Sequence, residues 1–361
     1  MSLDWTAMLR PAGGGIYVVS TGTSAQARVQ QQLYGTSDAD EVKRAWRADL
    51  DRIAEAGVVV LGVPTDIGAG YARGASFGPQ ELRRTLLANP ASLYNDPRVI
   101  DAGDVLSIPQ LLHDEMLSDA QLAASRAALY GADGAGLPVS PLSMAERALD
   151  EIRAIAPNAK TLVLGGDHAV GWPSLRAVAR GRERETGILH FDAHTDLLET
   201  RLGVRYCFAT WAYHANDVVG RGGRLAQVGV RISGQAREHW ERTLDVQQIW
   251  TADVRREGPD AISRRIVERF ERAGVRGVYI SNDIDGTDPA YAAATGTPQP
   301  DGLTPDEVLR VTELVGGAFE VWGSDLVEVA PVLGQHDDGE PERTLATAAR
   351  YIDAQLALSL R

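Results

Sequence analysis

The sequence predicts a single α/β domain of three layers, a mainly parallel sheet with helices on both faces, and three observations carry that prediction. Apolar, β-branched runs recur at 58–63, near 99–101, and at 161–165, 186–191, 224–229, 246–250, 276–282 and 319–327, with helix-sized segments between them. Most of these runs are continuously apolar rather than alternating, as strands buried on both faces read. Polar clusters then follow the ends of several runs between residues 165 and 328, and they meet at one site only if the runs share one sheet. Residues 51–361 are therefore read as one domain, with 1–50 as an extension ahead of it.

The N-terminal extension offers one short strand at 16–20 and no chemistry. Residues 38–56 are charged with a helical pattern and lead into the run at 58–63, where the domain begins. Residues 68–76 are glycine-rich before a helix that starts near Pro79, but their spacing matches neither a Walker loop nor a dinucleotide fingerprint. After a strand near Val99, Pro138 and Pro141 mark a loop before a helix over 142–155. Strands and helices alternate from there, and right-handed crossovers put helices on both faces.

Composition excludes several function classes. A formal net charge of −13 gives no basic footprint for nucleic acid or an anionic membrane and favours cationic substrates. The single cysteine, Cys207, excludes an intrachain disulfide framework and fits a reducing compartment. No apolar run reaches the roughly 20 residues of a membrane span, and the N-terminus lacks a signal-peptide pattern. The expected location is the cytoplasm.

The chemistry centres on 188–196, ILHFDAHTD, where Asp192, His194 and Asp196 fall on alternate positions. In a strand such residues point the same way, so the three converge. Carboxylate oxygens with imidazole suit Mn²⁺, Fe²⁺, Ni²⁺, Co²⁺ or Zn²⁺, and the lack of thiolates argues against structural zinc or an iron–sulfur cluster. Two further strand ends repeat the pattern: Gly165-Gly166-Asp167-His168, and 281–289, SNDIDGTDP, with Asp283 and Asp285 again two apart.

In that order these motifs resemble the signatures of the ureohydrolase family, the arginases, agmatinases and related guanidino-compound hydrolases. The resemblance extends to 60–66, 74–79, 295–298 and 325–329, and covers roughly 55–358. It implies an arginase-like fold and two divalent cations, Mn²⁺ first and Ni²⁺ second. Asp192 and Asp283 would bridge them, His168 and Asp196 would complete one site, and His194 and Asp285 the other. Asp192 is then catalytic as well as a ligand. Such a centre activates water for attack on the trigonal carbon of a guanidinium, with Glu328 holding that guanidinium. Family members often form trimers or hexamers, so a homo-oligomer is expected.

Departures from the family pattern bear on the substrate. Arginases carry an asparagine where this chain has Leu198, which disfavours arginine. The histidine credited with moving protons in the loop after DAHTD is missing, since that loop reads LGVRYCFATW over 202–211. His214 is the nearest candidate for that role. Cys207, Trp172 and Trp211 are candidate substrate contacts, with Phe208 beside them. The implied reaction is cleavage of agmatine, a guanidino acid or guanidine to urea plus amine or ammonia. The alternatives are a formimino-amino-acid hydrolase and a silent, metal-bound regulatory protein.

Overall fold

Val59, Leu61, Val63, Val163 and Ile188 face one way, while Val58, Val60, Leu162, Leu164 and Leu189 face the other, and each set sits in its own hydrophobic layer. This two-residue period places an apolar surface on both sides of each central strand. The computed structural model describes residues 4–16, 21–67, 70–134, 136–334 and 338–361, the side chains of 132 and 133 excepted. The strands are β1 (Leu9–Arg10), β2 (Val58–Val63), β3 (Val99–Val105), β4 (Lys160–Gly165), β5 (Thr186–Phe191), β6 (Leu225–Val230), β7 (Gln247–Trp250), β8 (Gly277–Asp283) and β9 (Glu320–Val327). They form one sheet in the order β1-β3-β2-β4-β9-β8-β5-β6-β7, parallel except for β1.

Helices cover both layers. Leu142, Ala145, Leu149 and Ile152 of Pro141–Ile155 pack on one face, together with Gly171–Ala179 and Trp211–Val218. Their spacing of three, four and three residues is the apolar stripe of an amphipathic helix. The other face takes Gly78–Ala88, Pro259–Arg272, Pro305–Ala318 and Glu342–Ser359 through such residues as Leu86, Ile266, Val311 and Ile352. The three-layer parallel architecture expected from the sequence is observed. Among the described residues, no helix is long and apolar enough to cross a membrane.

Four neighbouring central strands, β4, β9, β8 and β5, end on the same side and supply the site. Gly166, just beyond β4, allows the chain there to pass close to the segment after β2: a Cβ would lie 1.7 Å from the Thr65 carbonyl oxygen. Its own carbonyl accepts the Glu328 N–H at 2.8 Å, which ties the end of β9 to that of β4.

The described residues among the first fifty dock at the edge of the sheet. Leu9 and Arg10 pair antiparallel with Val105 and Asp104, and the Trp46 indole donates to the Ala102 carbonyl at 2.9 Å. The expected strand at 16–20 falls mostly outside the described residues; Ile16 alone is seen, bridged to Ser107. In the glycine-rich stretch, 68 and 69 likewise lie outside them. The helix Ala39–Asp51 runs across the expected boundary at 50/51.

Candidate metal centre

Asp192 follows the last residue of β5 and directs its two carboxylate oxygens at two different histidines. Oδ2 lies 3.3 Å from His168 Nδ1, and Oδ1 lies 3.3 Å from His194 Nδ1. His168 Nδ1 also faces Asp196 Oδ2 at 3.4 Å and Asp283 Oδ2 at 3.1 Å, whereas His194 Nδ1 faces Asp285 Oδ2 at 3.1 Å. All six residues expected to bind metal are thus brought together, in two groups that share Asp192.

The local structure producing this differs from the strand argument. β5 ends at Phe191, so 192–196 are loop, and Asp196 adopts φ 50 in the left-handed region. His194 and Asp196 therefore diverge to opposite groups instead of sharing one side. Asp283 closes β8, and its Oδ1 accepts the Asp285 N–H at 2.8 Å in the turn that follows. Thr297 donates its hydroxyl to Asp285 Oδ2 at 2.8 Å, and Ala193 N–H binds Oδ1 at 3.1 Å, fixing that carboxylate from two sides.

The electrostatics show what the cluster demands. Burial disfavours ionising Asp192, but hydrogen bonds from His168, His190 and His194 carry it well below the usual carboxylate range. Asp196 is pushed well up by burial and the Asp192 charge, and Asp283 by burial together with Asp285 and Asp192. Burial opposes charging both histidines, yet the Asp192 hydrogen bond pushes His168 up to about 9, and Asp285 and Asp192 push His194 up to about 12. Protons alone thus leave two carboxyls neutral and two imidazoles charged. A donor set of four carboxylates and two imidazoles, without thiolate, fits a pair of divalent cations that would relieve this repulsion.

Second contacts hold the ligating groups in place. His168 Nε2 meets Ser281 Oγ at 2.9 Å, and Ser281 donates to Asp325 Oδ1 at 2.9 Å, so Nδ1 is the nitrogen left facing the cluster. The sequence reading missed His190. Its donor atom falls within 4.8 Å of those of His168, Asp192 and Asp196. However, Gln227 Nε2 donates to His190 Nδ1 at 3.0 Å, leaving Nε2–H to donate to Asp192 Oδ2 at 2.9 Å. Both nitrogens are engaged, so His190 steadies Asp192 instead of binding metal. The same two-residue period that singled out 192, 194 and 196 reaches back to 190.

Glu328 stands one residue past β9 at φ 61, a strained conformation for a non-glycine residue. Its Oε1 accepts the His168 backbone N–H at 2.9 Å, and burial, with Asp283 and Asp167 nearby, raises its pKa well above the ordinary carboxylate range.

The remaining sequence candidates are distributed differently. Trp211 is fully buried and donates to Asp196 Oδ2 at 3.1 Å, which places it behind the ligands and not in a substrate wall. Trp172 stacks on Tyr206, ring centroids 5.1 Å apart, and is not among the described residues lining the open cavity. His214 points Nε2 at the carbonyls of Glu199 and Arg205, both at 3.0 Å, and touches the rings of Trp172, Tyr206 and Tyr213. No hydrogen bond or ring contact joins it to the cluster, because its donor is spent on stapling the loop. Cys207 does line a cavity of ≈ 500 Å³, alongside Phe208.

Known proteins agree with this architecture. A family model described as Arginase family matches residues 56–357. A mitochondrial agmatinase of Gallus gallus is 31% identical over 287 residues, covering 75% of this chain and 73% of that protein. A guanidinobutyrase of Pseudomonas aeruginosa is 29% identical, covering 79% and 81%. The solved proclavaminate amidinohydrolase of Streptomyces clavuligerus superposes with a TM-score of 0.65 at 29% identity, over 84% of this chain and 91% of that one. A shared Asp192 between two histidine-containing groups, on a parallel sheet matched along most of its length, leads to one conclusion: the chain belongs to the arginase family, the metal-dependent hydrolases of amidino C–N bonds.

Proposed function

We propose that this protein cleaves a small guanidino compound, agmatine, a guanidino acid or guanidine, to urea plus amine or ammonia. The observation that carries the reading is the two-sided Asp192 carboxylate, 3.3 Å from each of two histidines, beside the buried Glu328. His168 and Asp196 would hold one divalent cation, His194 and Asp285 the other, with Asp192 and Asp283 shared. Bound divalent cations, Mn²⁺ first and Ni²⁺ second, supply Lewis acidity and an activated water. Glu328 accepts hydrogen bonds from the guanidinium and orients its carbon for attack. The C–N bond to the tail nitrogen breaks, and that nitrogen leaves as an amine with a proton from water.

Leu198 in place of a polar residue, half-exposed at the start of the loop after Asp196, gives no partner for an α-amino acid head and supports a substrate other than arginine. Residues 51–361 act as the catalytic unit, braced by 1–50, and a homo-oligomer is the proposed assembly.

The test is release of urea from guanidine, agmatine, arginine and guanidinobutyrate, with ammonia from guanidine, and of formamide from formiminoglutamate, with protein loaded separately with Mn²⁺ or Ni²⁺. Turnover of one guanidino compound, lost in Asp192→Asn along with bound metal, is expected. Two metals per chain with no product from any compound would replace this reading with the silent, regulatory one.

A further inference from the structure

The cavity of ≈ 500 Å³ beside the centre is walled by the loop after Asp196, through Arg201, Leu202, Val204, Cys207 and Phe208, and by two segments that face it. The chain links it to the cluster: Leu198, two residues beyond Asp196, donates its N–H to the carbonyl of Ala209, two residues beyond Cys207, at 3.1 Å. The facing walls are mainly apolar, with Ile67, Leu112 and Leu117 among them, and carry two polar side chains, Gln110 and His113. Such a lining suits a short methylene chain leading away from a reacting head group.

We propose that this cavity receives the carboxylate tail of an ω-guanidino acid and that Arg201 is the residue that reads it. The inference rests on the guanidino-compound reading above and narrows it to one class.

Three observations carry it. Among the described residues lining the cavity there is no aspartate or glutamate, and Arg201 is the one permanent charge. The chain has 49 acidic against 36 basic residues, yet Arg201 has no carboxylate partner among the described residues, unlike its neighbour Arg205, which pairs with Glu115. Its guanidinium lies 5.3 Å from the centroid of the Phe208 ring, which holds it against the cavity wall with its N–H edges available. The loop presents it by a tight turn: Arg201 and Val204 exchange backbone hydrogen bonds of 2.9 and 2.8 Å around Leu202 and Gly203, both at positive φ.

An ammonium tail entering here meets mainly apolar wall and a like charge, and it loses hydration without gaining an anionic partner among the described lining residues. A carboxylate gains a two-pronged, charge-assisted pair. The local lining therefore reverses the preference for cationic substrates suggested by the net charge, because most of the carboxylates lie elsewhere on the surface.

The experiment compares 4-guanidinobutyrate with agmatine, which have similar reach and opposite tail charge, on the metal-loaded wild type, R201A, R201K and R201E. The expected wild-type preference is for the acid, by about tenfold or more in kcat/KM. R201A should raise KM for the acid by roughly tenfold to a hundredfold with kcat little changed, R201K should recover part of that loss, and R201E should favour agmatine. Equal or better use of agmatine by the wild type, or a preference that R201E leaves unmoved, overturns the proposal while leaving the hydrolase reading intact. If neither compound is turned over, calorimetric titration with 4-guanidinobutyrate decides. Binding by wild type that R201E weakens keeps the carboxylate pocket, whatever the full substrate panel then says of the hydrolase reading; binding that is absent, or equal in both, removes the proposal. Leu202 at the same turn is 97% exposed, so the tip tolerates substitution, and thermal melts of each variant check folding.

Discussion

Trp211 donates its indole N–H to Asp196 Oδ2 at 3.1 Å while its ring stacks on His168 at a centroid distance of 4.5 Å. One fully buried side chain thus touches both residues proposed to complete one metal site, and it does so from the first turn of the helix Trp211–Val218. A carboxylate fixed by a second partner binds metal without first losing its own conformational freedom.

Trp211→Phe should therefore keep the stack and lose the hydrogen bond. Metal affinity is expected to fall by about 10- to 100-fold, the range for removing such a support. Titration with Mn²⁺ read by calorimetry checks this, and activity at saturating metal should recover to a large extent. A variant with unchanged affinity would assign Trp211 to packing alone.

Glu328→Gln tests the guanidinium anchor. The glutamine can still accept the His168 N–H, so the strained turn at φ 61 has a partner, but the negative charge is gone. Loss of one charge-assisted contact to a cationic head group predicts a fall in kcat/KM of roughly 100-fold. Metal content should stay at the wild-type level, which separates this effect from damage to the ligands. Equal loss of metal would instead make Glu328 part of the metal-holding frame.

His214→Ala distinguishes a proton carrier from a staple. Because Nε2 is occupied by the carbonyls of Glu199 and Arg205, the expected outcome is an unchanged pH–rate profile with a stability loss of about 1 kcal/mol for the hydrogen bonds. Rates measured across pH 6–10, with a denaturation curve beside them, check both parts. A profile that loses one limb would restore His214 to proton transfer.

The strands were legible because burial on both faces forces β-branched residues into runs, as in Val58–Val63, where all six residues are buried. The clustering of Asp and His residues was legible because a parallel sheet concentrates chemistry at its carboxyl end. What escaped notice depends on partners distant in the chain. His190 reads as one more residue of an apolar run until Gln227, on the next strand, fixes its tautomer. The two-residue strand Leu9–Arg10 has no pattern of its own, since its pairing is imposed by β3, and Trp46 is anchored by a carbonyl 56 residues away. Trp211 and His214 were singled out by residue type and proximity in sequence, and neither criterion could show which way a helix start would turn them.

Asp66, three residues past the end of β2, offers a prediction about pH. Burial raises its carboxyl from 3.8 to about 6, although the backbone N–H of Gly74 and the charge of Arg73 pull the other way, and its Oδ1 is buried without a hydrogen-bond partner among the described residues. The folded state therefore keeps a proton that the unfolded chain releases. The stabilisation linked to that proton is complete below about pH 4 and lost as pH rises to about 6, above which the ionised group is carried at a cost. Asp66→Asn removes the ionisation while keeping an oxygen for Gly74. The stability difference, variant minus wild type, should thus grow in favour of asparagine between about pH 4 and 6 and level off above 7. Urea denaturation of both proteins at intervals across that range measures it, and a flat difference would show that Asp66 ionises as it does in water.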